Sequence, residues 1–189
     1  MKSMAIPALA LAGSLALATA ACSKDNTADT GATTTGTATP AATESAAATN
    51  DHAGQFLTDV IQTNNAEIKF GQAAQDMGST QAVKDFGKML VDDHTKANEQ
   101  ATELATSMNV TVPAGVKPDD MAAYDKATAL SGAAFDKEFA ADMVKGHQEA
   151  IDKFQQETGS SDPAPVTDFA KQTLPTLKKH LQTAQSLQK

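Results

Sequence analysis

The sequence predicts an all-α domain built from four long helices, and three observations support this fold class. First, apolar residues from about residue 52 onward recur at steps of three and four, which places them on one face of a helix. Second, no segment alternates apolar and polar residues as a half-buried strand does. Third, glycine, serine and proline interrupt the pattern where helices stop and start. We therefore expect helices joined by two short turns and one long connection.

The first two helices follow from their apolar stripes. The first stripe spans 56–70, and Gly78 and Ser79 follow as the expected helix stop and the N-cap of the next helix. The second stripe spans 83–108 and is followed by the loop VTVPAGVKP. A short helix from Asp119 to about Leu130 is expected inside this connection.

The last two helices are predicted from their apolar stripes in the same way. The third stripe spans 135–154 and stops at Gly159. The fourth spans 166–187 after the turn SSDPAP, and it contains Pro175, which should kink the helix because proline removes a backbone donor.

The connection lengths predict a topology. Short turns near residues 78 and 160 make two antiparallel hairpins, and a connection of about 22 residues is long enough to cross the bundle. The second and third helices then run parallel, as in a ferritin-like four-helix bundle with one long crossover. A repeat supports this register, because FGKMLVDDHTKA and FAADMVKGHQEA place phenylalanine, histidine and alanine at the same intervals.

Four polar residues are expected to meet inside this bundle. His94 and His147 lie eight residues after a core phenylalanine in two parallel helices, so they should share one level. Folding the two hairpins places Glu67 and His180 at a second level, about 7 Å away at ~1.5 Å rise per residue. Helical side chains lean toward the N-terminus of their own helix, so the two levels lean toward each other.

Two interpretations of this cluster remain open. Imidazole nitrogens with a carboxylate suit one transition-metal ion, namely zinc, iron, copper or nickel. Alternatively, a hydrogen-bonded Glu–His network fixes the helix register without any ligand. A di-iron site is not expected, because Val91 and Val144 stand where the di-iron signature needs glutamate three residues before each histidine. If Glu67 is ionised and paired with a histidine, acidification should loosen the fold by protonating it.

Other acidic and histidine residues are secondary candidates. Asp136 lies eleven residues before the third helix's histidine and either belongs to the site or caps a helix end. Asp92 and Asp93 form a solvated edge, from which Asp93 can orient His94. His52, at the start of the domain, is expected to have no role.

The N-terminus resembles an export signal. Residues 1–21 combine Lys2 with a short apolar run that ends in small residues, the pattern of a signal peptide. TAAC resembles a bacterial lipobox, in which Cys22 is lipidated, although Thr19 stands where an aliphatic residue is usual; the alternative is plain cleavage after Ala20. Residues 22–51 are then a disordered Thr/Ala-rich tether, and 52–189 form the domain.

The composition excludes some functions and leaves others open. A net charge of −8, no Trp and one Tyr argue against nucleic-acid binding. No nucleophile elbow, phosphate loop or C-x-x-C pair is present, so no catalytic residue is assigned and an enzyme is not favoured. The lipid anchor would make the membrane one partner; no protein partner is predicted.

The chain resembles the ferritin-like domain-of-unknown-function 4142 (DUF4142) family over about residues 52–187, through the ordered set of Glu67, Asp93-His94, Phe135-Asp136, Met143, His147 and Pro175…His180. This resemblance implies a ferritin-like domain exported to the bacterial envelope, and Ser23 after the cysteine resembles lipoproteins sorted to an outer membrane. It implies no settled activity. The expected function is a structural, interaction or stress-protective role in the envelope, with a metal-binding or redox role as the alternative.

Overall fold

The computed structural model describes the backbone of residues 41–189 and the side chains from residue 51 onward. The predicted signal peptide (1–21), Cys22 and the tether as far as residue 40 lie outside the described residues. The described chain forms five helices and no strand, which confirms the all-α prediction. They are α1 (Ala41–Met77), α2 (Gln81–Ser107), α3 (Pro118–Thr128), α4 (Gly132–Thr158) and α5 (Ala164–Leu187).

Two element boundaries differ from the sequence-based expectation. Helix α1 begins at Ala41, inside the segment assigned to the tether, and AATESAAATN there is rich in alanine, the strongest helix former. The N-cap of α2 is Thr80 and not Ser79, because the Thr80 hydroxyl accepts the backbone N–H of Val83 at 3.3 Å. Pro175 lies inside α5, as predicted.

The helix pairing follows the predicted topology. Helix α1 packs on α2, and α4 packs on α5. Phe86 contacts Phe139 with ring centroids 5.8 Å apart, and His94 contacts His147 at 5.7 Å, eight residues further along both helices. Two contacts in the same order show that α2 and α4 run parallel, so the connection 108–131, which contains α3, crosses between them.

Glycines allow α1 and α2 to approach closely. A Cβ placed on Gly71 would lie 2.6 Å from the backbone oxygen of Gly87, and one on Gly87 would lie 2.6 Å from the oxygen of Gly71. No other residue type fits at this crossing without separating the helices.

The core is divided into two apolar layers with a polar layer between them. One layer contains Phe56, Phe154 and Phe169, and the other contains Phe86 and Phe139. Each long helix carries buried polar residues between its contributions to these layers, and the residues of this polar layer are Asn64, Glu67, His94, His147 and His180. Among the residues described, no helix is long and apolar enough to cross a bilayer.

Candidate metal centre

Three histidines from three helices meet in the polar layer. His94 on α2, His147 on α4 and His180 on α5 are 5%, 1% and 0% exposed. Their ring centroids lie 5.2 to 5.7 Å apart. One ring nitrogen from each lies within 4.8 Å of the others, so the three rings can reach a single ion.

Hydrogen bonds fix the tautomers of two of these rings. Nδ1 of His147 donates to the backbone oxygen of Met143 at 2.9 Å, which leaves its Nε2 with a lone pair. Nε2 of His180 donates to the Asp93 carboxylate at 2.9 Å, which leaves its Nδ1 with a lone pair. These two remaining nitrogens face each other at 3.2 Å. Two neutral rings in these tautomers cannot hydrogen-bond to each other, so the contact calls for a cation or a proton.

The third ring is held in the same manner. Nδ1 of His94 lies 2.9 Å from the side-chain oxygen of Asn64 and donates to it. Nε2 of His94 is buried and has no hydrogen-bond partner among the described residues. Each imidazole is therefore oriented by an oxygen acceptor on one nitrogen and leaves the other nitrogen free. This is the usual arrangement of histidines that bind a metal in proteins.

The three imidazoles are held in the neutral form that binds metals. Burial, followed by the nearby histidines, keeps the pKa of His94 well below its ordinary value. Burial also lowers the pKa of His147 to about 4. Burial lowers the pKa of His180 as well, although its bond to Asp93 acts in the opposite direction. A metal ion thus meets ligands that need not first lose a proton.

Glu67 lies beside the cluster and faces its outer side. Its Oε1 is 3.9 Å from Nδ1 of His147, the nitrogen already bonded to the Met143 oxygen. Burial, with smaller contributions from Asp120 and Asp142, raises the pKa of Glu67 to about 8. The carboxyl is therefore protonated at neutral pH, and the premise of an ionised Glu67 paired with a histidine is corrected.

The structure brings the ring of His180 to the other two histidines, where it contacts both His94 and His147. The physical reason is the lean of the side chains. Helices α4 and α5 are antiparallel, so His147 and His180, each leaning toward its own N-terminus, lean toward each other and close the expected gap.

The secondary candidates lie in different places. Asp93 contacts His180 and not His94. Asp136 lies away from the histidines. Its carboxylate accepts hydrogen bonds from the backbone N–H of Ser79 at 2.8 Å and from the Ser79 hydroxyl at 2.7 Å. It thereby joins the start of α4 to the turn between α1 and α2. Asp92 is exposed and pairs with Lys88.

A cavity of about 780 Å³ opens beside the cluster. The three histidines and Glu67 line it, together with Asp120 of α3 and Asp142 of α4. Glu67, Asp120 and Asp142 each have a buried carboxylate oxygen without a hydrogen-bond partner in the described part of the chain. Gly146 leaves room for Glu67, since an added Cβ would lie 3.4 Å from its Oε1. The histidine cluster therefore has space beside it for a further ligand.

Sequence reasoning missed three groups. Asn64 occupies the same position as His94 and His147, eight residues after a core phenylalanine, and this signal could have identified it. Asp120 gave no signal, because only the packing of α3 places it at the cavity. His52 was expected to have no role, yet its Nδ1 lies 2.7 Å from Oδ2 of Asp162.

Comparison with curated proteins found no match, and comparison with solved structures found none either. A family model does match the chain, over residues 38–187. This span includes all five helices and every residue of the histidine cluster. The chain therefore belongs to the family described as domain of unknown function (DUF4142).

Proposed function

We propose that this protein binds one first-row transition-metal ion through His94, His147 and His180. One observation carries the proposal: three buried imidazoles are each oriented by an oxygen acceptor, and one ring nitrogen of each lies within 4.8 Å of the others. Nitrogen ligands without thiolate suit zinc, copper, nickel or iron in the divalent state.

The scaffold supports this assignment. We infer a ferritin-like four-helix bundle, since α2 and α4 are parallel and a long connection joins them. Metal sites in such bundles are built from side chains on facing helices. Val91 and Val144 replace the glutamates of a di-iron site, so the centre is mononuclear.

The proposed centre keeps an open coordination position. Three protein ligands leave a fourth position on a zinc-like ion for water or a small molecule, which is the pattern of reactive rather than structural sites. The cavity beside the cluster gives such a ligand room. Glu67 also lines this cavity, and its protonated carboxyl is not one of the proposed metal ligands.

We further propose that the domain works in the bacterial envelope. The signal-like N-terminus, Cys22 in TAAC and the following Thr/Ala-rich segment favour a lipid-anchored protein on the periplasmic side of the outer membrane. A metal-binding domain in that compartment would sequester or use ions that enter the cell. Mass spectrometry of the protein from bacterial membranes tests the anchor, and an unmodified Cys22 thiol would exclude it.

The metal proposal is tested on the purified chain. The protein is stripped with a chelator, dialysed against Zn²⁺, Cu²⁺, Ni²⁺ or Fe²⁺, and assayed by elemental analysis. Co²⁺ bound at the cluster should show a visible absorption band, which His147→Gln and His94→Gln should each abolish. Asp92→Asn changes an exposed residue on the same helix as His94, outside the cluster, and should leave that band unchanged.

The competing function is a structural or stress-protective domain whose histidines only fix the helix register. A folded protein that retains only trace metal, unaltered by His147→Gln or His94→Gln, would exclude the metal proposal and favour the structural one. Circular dichroism of each variant separates loss of metal from loss of fold.

A further inference from the structure

A second cluster of metal-ligand side chains lies apart from the three histidines. His52 near the beginning of the described side chains, Glu157 in the last turn of α4 and Asp162 in the α4–α5 turn come together there. One ligand atom from each lies within 4.8 Å of the others. None of the three belongs to the polar layer between the apolar cores.

The two carboxylates of this cluster are buried. The side chains of Glu157 and Asp162 are 1% and 2% exposed, whereas that of His52 is 63% exposed. Carboxylates are rarely this buried unless a cation or a set of hydrogen bonds compensates them. In the described part of the chain, the cation found within 4.0 Å of either carboxylate is His52.

One carboxylate oxygen remains uncompensated. Asp162 pairs with Nδ1 of His52 at 2.7 Å, and Oε1 of Glu157 accepts the Ser160 hydroxyl at 3.0 Å. Oε2 of Glu157 is buried without a hydrogen-bond partner among the described residues and lies 3.8 Å from Nδ1 of His52, too far for a hydrogen bond. Two buried carboxylates thus face a single histidine and lie close to each other, and Oε2 of Glu157 meets no hydrogen-bond donor among the described residues.

We propose that His52, Glu157 and Asp162 form a second site for a divalent transition-metal ion, such as Zn²⁺ or Mn²⁺. One imidazole nitrogen and two carboxylate oxygens are a ligand set that these ions accept, whereas Ca²⁺ and Mg²⁺ prefer oxygen alone. A dication neutralises both carboxylates and occupies the position between Oε2 of Glu157 and Nδ1 of His52. The exposed side of the His52 ring lets the ion enter and lets water complete its coordination.

A metal ion at this site would cross-link three segments of the chain. The ion would link α1 to the end of α4 and to the turn that leads into α5, without involving the three-histidine cluster. Metal at the second site should therefore raise the unfolding temperature by mass action on the folded state.

Equilibrium dialysis of the chelator-treated full chain against Zn²⁺ tests the second site independently of the first. Variants that lack the three-histidine cluster (His94→Gln with His147→Gln) should retain one equivalent of Zn²⁺. Adding Glu157→Gln should remove that equivalent. Asp152→Asn, an equal loss of charge on an exposed face of α4, should leave it in place.

His52→Ala provides a second variant that does not disturb the core, because the ring is largely exposed. Removing this ligand should weaken Zn²⁺ binding about 10-fold or more. Zn²⁺ affinity equal in His52→Ala, Glu157→Gln and the parent would overturn the proposal and would assign Glu157 a bound proton instead of a metal. If only the three-histidine site fails to bind metal, the parent should still bind one equivalent of Zn²⁺, and Glu157→Gln should remove that equivalent.

Discussion

The charge state of Glu67 gives the sharpest test of the site. Glu67→Gln replaces a carboxyl that burial keeps protonated with a neutral side chain of the same shape. The pKa of Glu67 is about 8 in the folded protein against an ordinary value of 4.5. Between these two pH values the folded chain binds one proton more than the unfolded chain, so the free energy of unfolding falls as the pH rises.

The size of the effect follows from the shift. Each pH unit in this window removes about 1.4 kcal/mol from the free energy of unfolding. The stability lost through Glu67 is therefore about 1 kcal/mol at pH 5 and about 3 kcal/mol at pH 7. Glutamine carries no such penalty in either state. We therefore expect the stability advantage of Glu67→Gln over the parent to grow by about 2 kcal/mol from pH 5 to pH 7.

Urea denaturation of the chelator-treated protein, followed by circular dichroism at several pH values, measures this difference. Glu103→Gln, an exposed position on α2, serves as the control and should show no comparable growth with pH. An advantage of Glu67→Gln that stays constant from pH 5 to pH 9 would refute the buried, protonated carboxyl.

Three further predictions follow from the same contacts. Asp93→Asn should weaken metal binding about 10- to 100-fold, because it removes the carboxylate that orients the imidazole of His180. Asp92→Asn, at the exposed neighbouring position, should not weaken it. Equal Zn²⁺ affinities of the two variants would contradict this prediction. Acidification from pH 6.5 to pH 4 should lower the free energy of unfolding by about 3 kcal/mol through His147, whose pKa is about 4 in the folded protein. In urea titrations, His147→Gln should reduce this loss of stability at low pH. Gly71→Ala should lower the free energy of unfolding by about 1–3 kcal/mol, because its Cβ would lie 2.6 Å from a backbone oxygen of α2. Gly146→Ala meets only an ordinary contact at 3.4 Å and should cost less.

The direction of the acid effect depends on which group titrates. The sequence predicted that acid loosens the fold through Glu67 if Glu67 is ionised and paired with a histidine. The structure assigns that effect to the histidines, because burial lowers the pKa of His94 and His147 below that of the unfolded chain. A group with a lowered imidazole pKa loses its stabilising contribution as the pH falls from about 6.5 toward the folded value. Protonation of Glu67 acts in the opposite direction, since its pKa is raised.

Local patterns in the sequence determined the helices, their order and the depth of the buried histidines. A period of 3.6 residues identifies a buried face, so His94, His147 and His180 could be placed inside the domain from spacing alone. The parallel direction of α2 and α4 followed from connection lengths, because only the connection between them is long enough to cross the bundle.

The tertiary structure decided which atoms of the cluster meet. Spacing and side-chain lean predicted that four polar residues converge; the three imidazole rings do contact one another, whereas Glu67 lies on the far side of His147. Asn64 and Asp93 fix the free nitrogens through hydrogen bonds between different helices, and no spacing within one helix encodes such bonds. Periodicity therefore shows which residues are buried, whereas the register and tilt of the packed helices determine which of them share a site.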